Sequence, residues 1–123
     1  MKIRIKNNSI RLRLTKTEVD MFAKTGKFTA TTQFGTKTLT YALKAKPNIS
    51  EVEADFVGDG IVVYFPEAAS KTWATSNRIG YDNNVDWNDE TKLSVLVEKD
   101  FTCLDNTIED QSDNYPNPRL KNN

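Results

Sequence analysis

The sequence predicts an α+β domain with a mainly antiparallel, curved sheet and two short helices, and three observations support this class. Apolar and polar residues alternate with a period of two in several segments, turn residues separate these segments by short connections, and two further segments begin with helix-start signals. Short connections favour antiparallel neighbours, and two helices can cover one face of such a sheet. The predicted order is β-β-α-β-β-β-β-α-β, with partial closure into a barrel as an alternative.

The first two strands are predicted from residues 2–14, where apolar and basic side chains alternate around Asn7-Asn8. Asn tolerates the positive φ of a tight turn, so this segment is typical of a β-hairpin. With Asn7-Asn8 as the loop, Arg4 faces Arg11, and like charges directly opposite one another destabilise a sheet. The outer face therefore needs an anion or full hydration. Its candidate anion-binding residues are Lys2, Arg4, Lys6, Arg11 and Arg13.

The elements that follow are predicted from their boundary signals. A capping-box pattern at Thr15 and Glu18 starts a helix, and Gly26 ends it. Residues 27–34 and 36–46 are rich in Thr and aromatic side chains and form a second hairpin around Gly35.

The second half of the chain is predicted in the same way. Residues 51–57 alternate as a strand, and residues 61–65 are apolar on both faces, which indicates a central strand. A short helix is predicted from Pro66 to about Thr75, a polar, turn-rich segment over 78–91, and a last strand over 92–101.

Residues 1–104 are predicted to form a single domain, and residues 105–123 an extended polar tail. A chain of 123 residues has the length of one compact domain. Apolar residues nearly vanish after Asp105, and Pro116 and Pro118 stiffen the segment. The side chain of Tyr115 is the expected anchor of this tail on the domain.

The composition excludes several chemistries. The chain has no His, which removes Ser-His-Asp and Cys-His catalysis and any zinc site that uses imidazole. Its one cysteine makes neither an internal disulfide nor a site of several thiolates. These absences argue against an enzyme, so no catalytic residue and no cofactor is assigned.

The same sequence predicts a soluble, cytoplasmic protein that does not bind membranes. Charged residues alternate through the first six positions, where a secretory signal would have an apolar run. The longest apolar stretch, 61–65, is far too short to cross a bilayer.

The net charge of zero is the sum of two unlike parts. Residues 1–46 carry eleven basic and two acidic side chains, and residues 47–123 carry six basic and fifteen acidic ones. Such asymmetry favours either mutual neutralisation of the two parts or an anionic partner. The expected internal counterpart of the basic hairpin is the acidic strand face of Glu51, Glu53 and Asp55.

Several motifs resemble a family of small uncharacterised bacterial proteins, a domain of unknown function. They are the start KIRIKxNSIRLRLT, the segment LTYAL at 39–43, and the end VEKDFxCL followed by YPNP at 115–118. The resemblance extends over nearly the whole chain. It implies a bacterial, soluble, single-domain protein, and it implies no activity and no functional residue.

Two functional hypotheses follow. The leading one is a non-enzymatic interaction domain that binds a protein partner or itself through its opposed basic and acidic surfaces. The alternative is a binder of phosphate ligands, such as nucleotides or polyphosphate, or a Mg²⁺- or Mn²⁺-dependent phosphohydrolase that uses the basic face with Glu51, Glu53 and Asp55.

The hydrolase alternative rests on a likeness to one strand. Glu51-x-Glu53-x-Asp55 is similar to the acidic strand of tunnel-shaped triphosphate hydrolases. It departs from that family in lying far from the N-terminus and in having Asp55 where the family has Lys. A pI near 6.3 and a basic face without aromatic residues argue against nucleic acid.

Overall fold

A computed structural model of the protein describes residues 1–86, 90–101 and 112–116. The strands are β1 (Lys2–Lys6), β2 (Ser9–Leu14), β3 (Lys27–Phe34), β4 (Lys37–Lys46), β5 (Glu53–Val57), β6 (Gly60–Pro66), β7 (Gly80–Asp86) and β8 (Lys92–Lys99). The helices are α1 (Lys16–Thr25) and α2 (Glu67–Ser70), and a 3₁₀ turn follows at Trp73–Thr75.

The strands form two sheets of four. Sheet A has the order β1-β2-β8-β7, and sheet B has the order β3-β4-β6-β5. In each sheet the two outer pairs are antiparallel hairpins and the central pair is parallel. The α+β class and the mainly antiparallel pairing are confirmed, and the described strands do not close into a barrel.

The two halves of the chain repeat one order of elements. β1-β2-α1-β3-β4 is followed by β5-β6-α2-β7-β8, so each half is a hairpin, a helix and a second hairpin. Each sheet takes one hairpin from each half, and the central parallel pairs β2–β8 and β4–β6 join them. The halves are therefore interlocked through both sheets and cannot separate as independent units.

Helix α1 begins and ends as its sequence predicts. The backbone N–H of Thr15 donates to Glu18 Oε1 at 2.9 Å, and the Glu18 N–H donates to Thr15 Oγ1 at 3.4 Å. Gly26 has φ 74°, and its N–H donates to the Phe22 carbonyl at 2.7 Å. These bonds satisfy backbone groups that a helix end otherwise leaves unpaired.

The core lies between the two sheets, and the helical segments cover it where β2 and β6 end. Phe65 of β6 packs edge-on against Phe22 of α1 at 5.3 Å and against Tyr81 of β7 at 4.6 Å between ring centroids. Trp73 lies 5.1 Å from Phe65 and is fully buried. This aromatic cluster joins both sheets to helix α1 and to the 3₁₀ turn.

The prediction for residues 78–91 is wrong. The structure has strand β7 there, where the sequence predicts a polar, turn-rich segment. The outward residues of β7 are polar, and on its inner face the polar Asn83 lies between Tyr81 and Val85, so the apolar alternation that marks a strand is interrupted. Asn83 is accommodated there because its Nδ2 donates to the carbonyl of Val52, just before β5, at 3.0 Å. Pairing with β8 supplies the remaining backbone hydrogen bonds.

Residues 112–116 are the described part of the predicted tail, and they lie against α1 and the end of β8. The Lys16 N–H donates to the Asp113 carbonyl at 3.1 Å, and Thr17 Oγ1 donates to Asp113 Oδ1 at 2.9 Å. Hydrogen bonds from the Thr15 and Thr17 side chains lower the pKa of Asp113. The rest of the predicted tail lies outside the described residues. So do Cys103 and Leu104 of the motif that resembles the family of unknown function.

Candidate functional site

The β1–β2 hairpin has the register that its sequence predicts. Arg4 pairs with Arg11 and Lys2 pairs with Arg13, and Asn7 in the turn has φ 50°. We call the five cations of this hairpin, Lys2, Arg4, Lys6, Arg11 and Arg13, the basic hairpin face.

These cations point away from the core because the residues that alternate with them point into it. Leu12 and Leu14 are fully buried, and Ile3 packs against the same core. Arg4 and Lys6 are exposed, whereas Arg11 is half-buried. The basic hairpin face is thus on the outer side of sheet A, and no helix of the described residues lies over it.

Two carboxylates at the end of β8 neutralise part of this surface. Glu98 Oε1 lies 2.8 Å from Arg13 Nε and 3.6 Å from Arg11 Nε. Buried Asp100 places Oδ2 3.0 Å from Lys2 Nζ. The parallel pairing of β2 with β8 brings Glu98 beside Arg13. Opposite charges at such distances offset the cross-strand repulsion within the hairpin.

Arg4 and Lys6 form no ion pair with any carboxylate that the structure describes. A groove of about 210 Å³ is bounded by Lys2, Ile3, Arg4, Arg11 and Arg13. The basic hairpin face therefore keeps unbalanced positive charge around a concave surface, which is the arrangement that attracts an anionic group.

The acidic residues Glu51, Glu53 and Asp55 do not neutralise this charge, because they lie on strand β5 of sheet B or just before it. Glu53 Oε1 is 3.4 Å from Lys46 Nζ on the neighbouring hairpin, and Asp55 Oδ1 accepts from the Phe56 N–H at 2.8 Å. Glu51 is exposed just before β5. The expected pairing of these carboxylates with the basic hairpin is absent from the described contacts, because each group faces solvent from a different sheet.

Nor do Glu51, Glu53 and Asp55 assemble a ligand set. Among the residues that the structure describes, no three Cys, Asp or Glu side chains are grouped so that they could hold a metal ion. Asp55 instead lies at the rim of an apolar cavity of about 380 Å³ between the sheets, whose walls include Ile5, Ile10, Phe56 and Ile61.

A buried lysine lies on the inner side of β8. Lys99 Nζ donates to the Ser76 carbonyl at 2.7 Å and lies 5.0 Å from the centre of the Tyr115 ring. Burial lowers the pKa of Lys99, because a charged amine loses hydration there. The aromatic contact and the carbonyl compensate this loss, so Lys99 helps to hold residues 112–116 against the domain.

Replacing Tyr115 with phenylalanine is expected to reduce the loss of stability at high pH. Burial, with smaller effects of Asp20 and Asp113, raises the pKa of Tyr115 to about 12 from 10.0. A raised pKa gives stability that is complete below the unfolded-state value and is lost as pH rises toward the folded-state value. Thermal melts between about pH 9 and pH 12 measure this loss. Equal pH slopes for both proteins would contradict the assignment.

Sequence reasoning missed Glu98 and Asp100. Leu93, Val95 and Val97 are assigned to one face of the last strand, which puts Glu98 on the other face beside Ser94 and Leu96. This alternation is the feature of the sequence that predicts the outward position of Glu98. It identifies no partner, because β2 and β8 are separated by most of the chain and pair only in the folded protein.

The comparisons with known proteins agree with the expected membership of a family of unknown function. No curated protein and no solved structure matches the chain significantly. No helix among the described residues is long and apolar enough to cross a membrane. A model of a family of unknown function, DUF7009, matches residues 1–119. The chain therefore belongs to the DUF7009 family of unknown function.

Proposed function

We propose that the protein is a small non-enzymatic interaction domain that binds an anionic protein surface through the basic hairpin face. The observation that carries this proposal is the charge of Arg4 and Lys6 beside a groove, on a sheet face where no carboxylate and no helix of the described chain lies against them. Guanidinium groups bind carboxylates through paired hydrogen bonds, and a concentrated charge accelerates encounter with an oppositely charged partner.

The make-up of the face favours protein over nucleic acid as the partner. The outward positions of sheet A carry cations, carboxylates, Ser and Asn together with Leu96, and none of them is aromatic. Proteins that bind single strands use aromatic side chains on which bases stack. Glu98 and Asp100 would also repel a continuous phosphate backbone, whereas they fit a partner that presents mixed charges.

A labelled oligoglutamate peptide tests this proposal. We expect it to bind the wild-type protein and to bind more weakly as salt rises from about 50 mM to about 200 mM. Arg4→Gln should weaken binding about 3- to 10-fold, because one charge-assisted hydrogen bond is lost. Fluorescence anisotropy measures both effects.

The matched control is Lys71→Gln, which removes an exposed cation at the end of α2, outside the basic hairpin face. It should leave peptide binding unchanged. Failure of the wild-type protein to bind at low salt, or equal weakening by Arg4→Gln and Lys71→Gln, would refute the proposal.

Phosphate-ligand binding is a second candidate, and the 210 Å³ groove among four cations favours it. A hydrolase would also need Mg²⁺ or Mn²⁺ carboxylate ligands beside the phosphate. Glu53 and Asp55 lie on β5 of the other sheet and Glu51 lies just before it, so this candidate is limited to binding. Tripolyphosphate without metal distinguishes the two candidates: stabilisation by it together with no binding of oligoglutamate would favour the phosphate ligand.

A further inference from the structure

We propose that the anionic partner is a second copy of this chain, which packs its own sheet A face to face on the same surface. This inference rests on the proposed function, because it names the partner of the same site. It follows from the arrangement of charge across the whole outer face of sheet A. The basic hairpin face occupies one half, and β8 with β7 occupies the other.

The strand register defines three outward rows across the sheet. They are Lys6–Ser9–Ser94–Asn84, Arg4–Arg11–Leu96–Asp82 and Lys2–Arg13–Glu98–Gly80. Each row begins with a cation on β1, two of the three have a second cation on β2, and all end in neutral or acidic residues on β8 and β7. Asp82 and Asp86 of β7 are exposed, and neither pairs with a cation that the structure describes.

A twofold axis along the strands makes this pattern self-complementary. The seam between β2 and β8 divides the four strands into two and two. An axis parallel to that seam places β1 of one copy over β7 of the other, and β2 over β8, at the same level. Arg4 then lies over the second copy's Asp82, and Arg13 lies over the second copy's Glu98.

Each contact occurs twice in such an interface, because a twofold dimer uses the same patch on both chains. The free charges of Arg4 and Asp82 neutralise each other in both places. Leu96 is half-buried in the middle row and lies over the second copy's Arg11, so the two copies of Leu96 flank the axis and pack against the aliphatic stems of the arginines. An apolar centre within a charged rim is the usual anatomy of a protein interface.

The size of the patch predicts a weak dimer. Four strands about 4.8 Å apart, with about six residues of 3.3 Å each, give a surface about 15–20 Å on each side. Two such patches bury about 600–800 Å² together, which is below the usual range of stable interfaces, so we expect a transient dimer with a dissociation constant weaker than micromolar. Facing sheets with aligned strands are a common packing geometry.

The test is charge exchange in the full-length chain, followed by sedimentation velocity over rising concentration at low salt. The wild-type mass should rise from one chain toward two. Arg4→Asp places a carboxylate opposite Asp82, and Asp82→Arg places a guanidinium opposite Arg4. Each variant alone should therefore stay monomeric under the conditions in which the wild-type protein dimerises.

An equimolar mixture of the two variants should restore the dimer, because both contacts become attractive in the mixed pair. The double variant Arg4→Asp/Asp82→Arg should dimerise by itself for the same reason. Arg4→Asp also removes the repulsion between Arg4 and Arg11 within the hairpin, so loss of its dimer cannot be attributed to unfolding. A melting temperature no lower than that of the wild type verifies this.

A wild-type protein that stays monomeric throughout, a dimer that both single variants retain, or a mixture that fails to dimerise would each overturn the inference. None of these results contradicts the proposed function if oligoglutamate still binds and Arg4→Gln still weakens that binding. If the wild-type protein neither self-associates nor binds oligoglutamate, the proposed function is refuted as well.

Discussion

Replacing Trp73 with alanine is expected to lower the free energy of unfolding by about 3–5 kcal/mol, the usual loss for a large buried aromatic residue. Trp73 is fully buried, and its ring centre lies 5.1 Å from Phe65 and 5.9 Å from Tyr81. Its indole Nε1 donates to the Arg78 carbonyl at 2.9 Å. The substitution would leave both a cavity between the sheets and an unpaired carbonyl. Denaturant unfolding measures the change.

Two variants control this experiment. Trp73→Phe keeps most of the packing and loses only the hydrogen bond and part of the volume, so we expect a smaller loss of stability. Lys71→Ala changes an exposed side chain just before the 3₁₀ turn and should stay within about 0.5 kcal/mol of the wild type. A loss below about 1 kcal/mol for Trp73→Ala would mean that the aromatic cluster does not hold the sheets together.

Replacing Gly80 with alanine is expected to cost about 1–3 kcal/mol, as overpacking does elsewhere in protein interiors. A Cβ atom at this position would lie 2.6 Å from the Val97 carbonyl oxygen and 2.9 Å from Glu98 Cβ. The first of these is backbone, so β7 must move away from β8. Thermal or denaturant unfolding measures the loss.

The matched control for Gly80→Ala is Asp86→Ala, at an exposed position at the other end of β7. It should change stability by less than about 0.5 kcal/mol. Gly80→Ala should also displace Asp82 and so weaken self-association. An alanine at position 80 that leaves stability unchanged would contradict the close approach of β7 to β8.

Local patterns were enough to predict the elements whose determinants lie close together in the chain. The hairpin register follows from the alternation around Asn7-Asn8, because one turn fixes every pair. The ends of α1 follow from Thr15, Glu18 and Gly26, whose groups satisfy the terminal backbone groups of their own helix. The central place of β6 follows from apolar residues on both faces.

Strand β7 could not be predicted in this way, because its stability is not local. Its inner face mixes Tyr81 and Val85 with the polar Asn83, whose side chain is accommodated there because the carbonyl of Val52, just before β5, accepts its hydrogen bond. Gly80 permits an approach to β8 that no local sequence pattern indicates. The partition into two sheets likewise depends on the parallel pairs β2–β8 and β4–β6, which join residues distant in sequence.

By itself, the sequence determined that the protein is an α+β domain, that its first hairpin opposes Arg4 to Arg11, and that His-based chemistry is excluded. Only the tertiary structure decided which carboxylates lie beside those cations. The expected partners were Glu51, Glu53 and Asp55, but they lie on β5 of sheet B or just before it, and Glu98 and Asp100 lie beside the hairpin instead. The physical reason is that alternation assigns a charge to one face of a strand, whereas strand order decides which charges share that face.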